Sequence, residues 1–427
     1  MGKAFGLLLG SVLLSNTTNG LVFYAMPLLV LTLTTDPLMV AAPTAVYQAL
    51  PAVFGLFIGA MVDAWDRRML MVVAALIRIL STSVLVWMVV TGRLGYIALL
   101  GMVAILTIFE QVIDLAGQAS VPEIVTDGNQ LEKANGWIGA GQQVVQGFVA
   151  GPIAPLAFAI ASWLPFALGA SFAAVCVGLL LTLRHVMPKA SGTLAPTPVG
   201  LAESQSRAAL RGGLDEVRRN APLRSVIIYT LATSFLVCLA LGSYAYYLTI
   251  VIGLPRQALS VVLICLGVGG LTGSVTADRM TGSFARRDVL VTGTLLLAAG
   301  LLTVASLPHG PWALWLGSLG CLIAGLGSGW YGVIVVAARQ RLVDVDLLGR
   351  VNGLVSTGVA AVSLCGTLLG GLTSRSHGRI PWLLAGVGTL LLPLLMRSSL
   401  HPINHLSTAS GVSDVRAWEG LERPTDK

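Results

Sequence analysis

The sequence predicts an all-α membrane protein in which twelve transmembrane helices form two pseudo-symmetric six-helix bundles. Composition is the first observation: 55% of the 427 residues are hydrophobic and 11% are charged, against about 25% charged residues in an average soluble protein. The second is a series of twelve apolar stretches, each with the roughly 20 residues that a helix needs to cross a bilayer. The third is a set of motifs repeated at offsets near half the chain length.

The expected spans lie on either side of one long polar linker. In the first half they cover residues 5–33, 38–62, 69–91, 95–121, 134–161 and 163–185. In the second half they cover residues 223–251, 257–277, 288–307, 312–338, 349–374 and 380–398. All should be helices, because lipid offers no partners to unpaired backbone groups. The predicted domains are an N-terminal bundle, a cytoplasmic linker with a short surface helix, a C-terminal bundle and a cytoplasmic tail, over residues 1–185, 186–222, 223–399 and 400–427.

Basic residues predict the orientation of the chain. With the N-terminus in the cytoplasm, only Arg93, Arg256, Arg375 and Arg379 of the 26 lysines and arginines face outward, and Arg78 lies within a span. Cytoplasmic connections of membrane proteins carry such an excess of basic residues. We therefore expect a multi-pass cell-membrane protein with both termini in the cytoplasm.

Other classes of function lack their sequence signals. The formal net charge is +7, but the basic residues form no patches interleaved with aromatic residues of the kind that binds nucleic acid. The five cysteines lie singly in apolar stretches, so neither a metal site nor a disulfide framework is indicated. No GxxxxGK[ST], HExxH or GxSxG motif occurs, which argues against an ATP-driven pump or a hydrolase. We expect a monomer that is not an enzyme and has no cofactor, metal or nucleic-acid partner.

Charged and polar motifs recur between the two halves. The recurring charged residues are Asp63, Arg67 and Arg68 after span two, and Asp278, Arg286 and Arg287 after span eight. Asn135 and Asn352 each precede a glycine at the start of spans five and eleven. The offsets, 215 to 219 residues, indicate two homologous bundles, the plan on which many secondary transporters are built.

The segment GAMVDAWDRR, residues 59–68, resembles the loop between the second and third helices of the major facilitator superfamily. Its WDRR form is similar to the drug:proton antiporter branch, which includes macrolide, multidrug and enterobactin-type siderophore exporters. VPEIV at 121–125, Ala134 before the Asn-Gly pair, and LGRVNG at 348–353 match the same branch. The resemblance covers nearly the whole chain, and it implies the major facilitator fold and a bacterial plasma membrane location.

The resemblance also implies a conformational latch at this loop. The latch residues are Gly59, Asp63, Arg67 and Arg68, with Asp278, Arg286 and Arg287 as the weaker second copy. Physically, Asp63 could accept hydrogen bonds from a neighbouring helix N-terminus while the arginines sit at the headgroup level. The alternative is a charge cluster that only sets topology.

Span five contains a GxxxGP motif. Gly147 and Gly151 allow close helix approach, and Pro152 removes the hydrogen bond to the Phe148 carbonyl. A bend or a tight interface should result. The resemblance associates such a motif with exporters, and a kinked packing helix without directional meaning is the alternative.

Acidic residues within the spans are the sharpest functional signal. Of 19 acidic residues, only Glu110 and Asp114 lie deep within a span, and Gln118 continues their stripe on span four. An ionised intramembrane carboxylate is costly, so its proton can be exchanged for substrate or for a change of access. Both acids are candidates for proton or cation coupling. Asp114 has a competing role, a structural ion pair with Arg78 on span three.

Other polar and aromatic side chains are candidates for lining a substrate cavity. They are Asn16, Asn19, Gln118, Gln142, Gln143, Gln146, Trp330 and Tyr331. Hydrogen bonds between helices, or packing for the two aromatic residues, would explain them equally well.

The resulting expectation is a secondary transporter that exports hydrophobic or amphipathic small molecules in exchange for protons, with alternating access. Its expected partners are a small-molecule substrate, protons and membrane lipid. The alternatives are a dedicated exporter of a siderophore or self-made antibiotic, a lysolipid flippase, a proton-independent uniporter, and a non-transporting sensor or assembly protein.

Overall fold

The computed structural model describes residues 2–125, 128–186, 214–343 and 345–396. The predicted spans of the first half are all helical. They are α1 (Lys3–Val30), α2 (Pro37–Ala64), α3 (Arg67–Val90), α4 (Tyr96–Ile124), α5 (Gly128–Val144, continued by Val145–Ala150 and Gly151–Ile160) and α6 (Leu164–Val186).

The second half repeats this series. Its helices are α7 (Ala221–Leu241, continued by Tyr244–Tyr246 and Tyr247–Val251), α8 (Ala258–Ser283), α9 (Arg286–Ala305), α10 (Trp312–Leu342), α11 (Val345–Ser374) and α12 (Ile380–Leu395). Within the described ranges, eleven helices are long and apolar enough to cross a membrane, and α12 is a shorter apolar helix of 16 residues. Most of the predicted linker, the last residues of the predicted twelfth span and the whole tail lie outside the described residues.

Local sequence explains where several helices begin. The Asp36 carboxylate accepts a hydrogen bond from the Leu38 backbone N–H at 3.0 Å, and Pro37 occupies the first position of α2. Asn220 caps α7 in the same way through the Leu223 N–H. Side chains of this kind satisfy backbone donors that the first turn leaves unpaired, and proline loses nothing there.

Helix packing confirms the internal duplication. In the first half α4 packs on α2 and α3, and α6 packs on α1 and α3. The second half repeats these pairs, since α10 packs on α8 and α9, and α12 packs on α7 and α9. Between the halves, α2 packs on α11 and α5 packs on α8. Since α8 is the counterpart of α2, and α11 is the counterpart of α5, these two contacts are equivalent under a two-fold axis between the bundles. The two six-helix bundles are therefore pseudo-symmetric, as the motif offsets predict.

The two halves share their apolar core at one end only. One buried cluster includes Val30 and Leu99 from the first half and Tyr247 and Trp382 from the second. Two further clusters each stay within one half, one from Phe5 to Leu183 and one from Val217 to Leu392. We call the shared end the closed end; it carries the connections 31–36 and 375–379. The opposite end, where α1 begins, is the terminal end.

Candidate transport site

Polar side chains from five helices meet inside the N-terminal bundle. Helix α4 contributes both predicted acids: Glu110 is 4% exposed and Asp114 is partly buried. The other contributions come from α1, α2, α3 and α5. These groups are gathered in an otherwise apolar bundle, so each needs a partner there.

Asp114 is held by amide side chains from two other helices. The Asn16 Nδ2 of α1 donates to Asp114 Oδ1 at 2.9 Å, and the Gln142 Nε2 of α5 donates to the same oxygen at 3.4 Å. The Gln146 Nε2 donates to Asn16 Oδ1 at 2.8 Å. Three of the predicted cavity residues therefore form one network around this acid, which links α1, α4 and α5.

The GxxxGP motif explains how α5 presents Gln146 to α1. Residues Val145–Ala150 form a π-helical turn, in which the Gly151 N–H donates to the Gln146 carbonyl five residues earlier. Pro152 has no N–H, so the regular ladder is already interrupted at this point. Helix α1 approaches closely here, because a Cβ added to Gly20 would lie 2.4 Å from the Ala150 Cβ. The motif thus interrupts the regular helix. The close contact is made by Ala150 and not by the motif glycines, since a Cβ on Gly147 would meet nothing within 4 Å and one on Gly151 would lie 3.5 Å from its nearest neighbour.

Glu110 faces a different set of groups. The Tyr47 side chain of α2 lies near it, and the Tyr47 hydroxyl accepts a hydrogen bond from the Asn19 Nδ2 at 2.6 Å. A cavity of about 10 Å³ lies beside this pair, lined by Thr44 and Thr107 among others. Asn19, predicted as a cavity residue, lines this small cavity.

The predicted ion pair between Arg78 and Asp114 is not a direct contact. Arg78 is 1% exposed, and its guanidinium donates to Ser15 Oγ at 2.5 Å and to the Ser15 carbonyl at 3.4 Å. Asp114 is not among the described carboxylates that approach an arginine nitrogen within 4.0 Å. Arg78 instead acts through its field on Asp114 and on Glu110. The pair was predicted because Arg78 and Asp114 lie at similar distances from the cytoplasmic ends of their spans. That distance does not determine which side of α3 faces α4.

The latch segment joins α3 to α4 at the terminal end. Arg67 NH1 donates to the Ala119 carbonyl at 2.8 Å and to Glu123 Oε1 at 2.7 Å. Asp63 lies 3.8 Å from Arg67 and its side chain is 76% exposed. The helix cap expected of Asp63 is made by Asp66, which accepts hydrogen bonds from the first backbone N–H groups of α3.

The remaining latch residues lie near the ends of α2, α3, α8 and α9. Gly59 lies in α2 with open space where a Cβ would be, and Arg68 lies in the first turn of α3. In the second copy Asp278 is exposed and acts on Arg286 through its charge, without a direct ion pair between these two described residues. Arg287 follows on α9.

Several predicted cavity residues lie apart from the network. Gln118 is exposed on α4, and the Gln143 side chain is outside the described part of the structure. In the C-terminal bundle, the Trp330 Nε1 donates to Thr276 Oγ1 at 2.9 Å, and the Tyr331 ring lies 6.1 Å from the Tyr229 ring.

The sequence analysis did not identify Ser15 and Tyr47 as site residues. Tyr47 lies between Pro43 and Pro51 within one span, and this unusual position is a signal that could have identified it.

An ion pair joins the two halves across the closed end. The Arg375 Nε donates to Asp36 Oδ1 at 2.9 Å, and Arg375 NH2 contacts the second oxygen. The hydrogen bond from Arg375 holds the pKa of the Asp36 carboxyl below its ordinary value. Helices α2 and α11 pack tightly behind the pair, since a Cβ on Gly371 would lie 2.7 Å from the Ala41 Cβ.

Similar proteins of known sequence include bacterial drug-resistance proteins. Multidrug resistance protein MdtH of Cronobacter sakazakii is 35% identical over 125 residues, which is 29% of this chain and 28% of that protein. The Salmonella typhi protein of the same name is 32% identical over 156 residues, 36% of this chain and 35% of its own length. The matched stretches thus span about a third of these relatives.

Solved structures of transporters share the fold at low sequence identity. A peptide transporter, POT, has a TM-score of 0.72 at 14% identity and covers 95% of this chain and 96% of its own. A bacterial homologue of the iron transporter ferroportin, solved in an inward-facing state, has a TM-score of 0.72 at 16% identity, covering 93% and 99%. A D-xylose-proton symporter has a TM-score of 0.68 at 15% identity, covering 94% and 98%.

The family model described as Major Facilitator Superfamily matches residues 8–282, more than half of the sequence. That range contains all five helices of the candidate site and the first copy of the latch. Together with the twelve-helix fold and its transporter neighbours, this match establishes that the chain belongs to the Major Facilitator Superfamily of membrane transporters and is not an enzyme.

Proposed function

We propose that this protein exports hydrophobic or amphipathic small molecules by proton antiport with alternating access, and that the polar site inside its N-terminal bundle provides the proton coupling. The observation that carries the proposal is Glu110, a carboxylic acid buried within a span and surrounded by polar groups of neighbouring helices. An ionisable group in this setting is expensive to keep charged, and such groups in transporters mark ion and substrate pathways. Loss of its proton therefore creates a site for a cationic or polar part of the substrate.

The charge distribution supports a direction for transport. If the terminal end faces the cytoplasm, as the excess of basic residues favours, the Asp36–Arg375 pair closes the outer face. The described state then receives substrate from the cytoplasm, as an exporter requires. A cysteine introduced at Leu33, which is 40% exposed in the connection 31–36, should react with an impermeant thiol reagent from outside intact cells. Labelling only in inverted membranes would reverse the proposed orientation.

The substrate class is supported by the relatives, whose names contain multidrug resistance. The site itself adds two acids, one arginine and several amides in an apolar bundle. A mostly apolar environment with a few fixed polar groups suits bulky amphipathic compounds. We expect each monomer to act as a complete transporter.

The test uses purified protein in liposomes with an imposed pH gradient and a proton-sensitive dye inside. Lipophilic cations, macrolides and siderophores are added in turn, and substrate-triggered proton movement is the expected result. Glu110→Gln should abolish proton-driven transport with normal expression, because a neutral amide cannot take up or release the proton. Glu123→Gln is the matched control, an acid on the same helix that contacts Arg67 outside the site; it should keep proton coupling.

The outcomes separate this proposal from its alternatives. Unchanged proton-driven transport by Glu110→Gln would remove Glu110 from the mechanism. Transport that ignores the pH gradient would identify a proton-independent carrier. Silence across the panel, with folded and correctly oriented protein, would favour a dedicated exporter or a flippase.

A further inference from the structure

One carboxylate oxygen of Asp114 accepts all of the hydrogen bonds that this residue makes within the described structure. The Asn16 Nδ2 and the Gln142 Nε2 both donate to Asp114 Oδ1, at 2.9 Å and 3.4 Å. No donor of the described residues contacts Oδ2. Each oxygen of an ionised carboxylate can accept two hydrogen bonds. The second oxygen is therefore left for a ligand.

The charge of ionised Asp114 also has no direct counterion in the described part of the chain. Arg78 of α3 is held by hydrogen bonds to the hydroxyl and carbonyl of Ser15, and it makes no ion pair with Asp114 within 4.0 Å. Glu110, one turn away on α4, adds negative charge when it is ionised, and α1 and α5 contribute only neutral amides. An intramembrane carboxylate is costly without a partner, so a cationic ligand would complete this site.

Side chains along one face of α4 become more exposed toward the terminal end. Glu110 is 4% exposed, Asp114 is partly buried and Gln118 is exposed, and residues at this spacing share a helix face. The two halves share their apolar core only at the closed end. This face of α4 therefore borders a space that opens toward the terminal end, and a ligand that enters there reaches Asp114 before Glu110.

The chemistry of the amide network fixes which atoms are left for a ligand. The Asn16 Nδ2 donates to the Val12 carbonyl and to Asp114. Its Oδ1 must therefore accept, and it accepts from the Gln146 Nε2 at 2.8 Å. Because an ionised carboxylate only accepts, Gln142 must also present its Nε2 to Asp114. The Gln142 Oε1 is then left without a donor among the described residues.

We infer that Asp114 Oδ2 and Gln142 Oε1 bind the ammonium group of an amphipathic primary or secondary amine. The inference rests on the proposed export function, for which it names the substrate class. Such an ammonium group has at least two N–H bonds, one for each acceptor, and its charge neutralises the carboxylate. The Gln142 bond to Asp114 is longer than usual, so this amide can turn toward a ligand. Asn16 is a positioning residue, since its amide nitrogen and oxygen are both engaged within the bundle.

The same arrangement disfavours quaternary ammonium compounds. They have no N–H bond, so they would leave both acceptors unpaired, and a site built to hydrogen-bond its substrate rejects an analogue that lacks the donor. Proteins that bind quaternary ammonium groups use the faces of aromatic rings, whereas the described side chains that contact Asp114 are amides. At equal size, the expected order of affinity is primary amine, then tertiary amine, then quaternary ammonium.

The test measures binding of three naphthylmethyl compounds to the purified full-length protein in detergent at pH 7, by isothermal titration calorimetry. The compounds carry a primary ammonium, a protonated dimethylamine and a trimethylammonium group on the same ring. The wild type should bind the primary amine at least about tenfold more tightly than the trimethylammonium compound, as expected for lost hydrogen bonds to a charged group. Equal affinities, the opposite order, or no binding of any of the three would overturn the inference.

Gln142→Leu tests the amide without changing the charge of the site. It should weaken binding of the primary amine by about tenfold and leave the affinity for the trimethylammonium compound unchanged. Gln111→Leu is the matched control, because the Gln111 Nε2 on the same bundle donates to the Pro51 carbonyl at 3.1 Å; it should keep the wild-type ratio of affinities. A purely structural defect would weaken all three compounds alike. An unchanged ratio in Gln142→Leu would therefore overturn the inference.

Asp114→Asn tests the charge. It should weaken binding of all three cations by at least about tenfold, whereas Glu123→Gln, which changes an acid outside the site, should bind them as the wild type does. Wild-type affinities in Asp114→Asn would overturn the inference, and Gln142→Leu still decides if Asp114→Asn does not fold. These measurements use no proton gradient. Unchanged proton-driven transport by Glu110→Gln would thus overturn the proposed proton coupling without changing the amine preference measured here.

Discussion

Glu110 and Asp114 are four residues apart on one helix, yet their surroundings give them different properties. Asp114 accepts hydrogen bonds from two amide side chains, which compensate part of its burial. Glu110 is more deeply buried, with 4% of its surface exposed, and the Tyr47 side chain lies near it. Two acids on one helix face can therefore have separate roles.

Arg78 and Ser15 should behave as an interacting pair. Ser15→Ala and Arg78→Gln remove the same short hydrogen bond, so the double variant should lose less stability than the two single losses added. The expected coupling is about 1.5 to 3 kcal/mol, typical of a hydrogen bond to a charged group. Chemical unfolding in detergent measures it. A larger coupling energy between Arg78→Gln and Asp114→Asn than between Arg78→Gln and Ser15→Ala would contradict this assignment and support the direct ion pair predicted from the sequence.

At the scale of the element, the start of α3 depends on Asp66 more than on Asp63. Asp66→Ala should lower the free energy of unfolding by about 1 kcal/mol, because it removes the acceptor of two backbone N–H groups. Asp63→Ala should have a smaller effect, since its side chain is largely exposed and lies 3.8 Å from Arg67. Thermal unfolding of both variants in the same detergent measures the two losses of stability. Equal losses would contradict the greater importance of Asp66.

The π-helical turn in α5 is a second element with a testable role. Pro152→Ala supplies an N–H that can bond the Phe148 carbonyl and restore regular α-helix, which would rotate Gln146 away from Asn16. We expect reduced transport and a melting temperature no lower than that of the wild type. Pro155→Ala, one turn further along the same helix, should leave transport intact. Full activity of Pro152→Ala would show that the turn has no functional role.

At the scale of the whole molecule, the Asp36–Arg375 pair should hold the closed end in a way that does not respond to mild acid. The pKa of Asp36 is lowered by Arg375 in this state, so the pair favours the closed state above the ordinary carboxyl pKa of about 3.9. That contribution is lost only as the pH falls through the depressed value. A pH response near neutrality must therefore originate elsewhere.

Neutralising either partner should increase the open population by a few-fold at any pH near neutrality, since the pair is partly exposed. The distance between spin labels at Leu33→Cys and Ser376→Cys, two exposed positions in different halves, reports this for Asp36→Asn and Arg375→Gln in a protein without its native cysteines. The exchanged variant Asp36→Arg with Arg375→Asp should return the population toward the closed state. No recovery in the exchanged variant would mean that the pair does not hold this end closed.

The sequence alone is sufficient to predict the number and approximate bounds of the helices, because a long apolar segment in lipid can satisfy its backbone groups only as a helix. It also determined the duplication, through motif offsets, and it located Glu110 and Asp114, because intramembrane acids are rare enough to stand out. The interruption of the regular hydrogen-bond ladder in α5 followed from Pro152, whose missing N–H is a property of the residue alone.

Which polar groups meet depends on how the helices pack against one another. Arg78 contacts Ser15 and not Asp114, and Tyr47 lies beside Glu110, because the rotation of each helix about its axis depends on packing across the bundle. Hydropathy carries little information on that rotation, since every face of a membrane helix is largely apolar. The contacts of Asp36 with Arg375 and of Gln48 with Thr367 join residues more than 300 positions apart, and they exist only once both halves have folded and met.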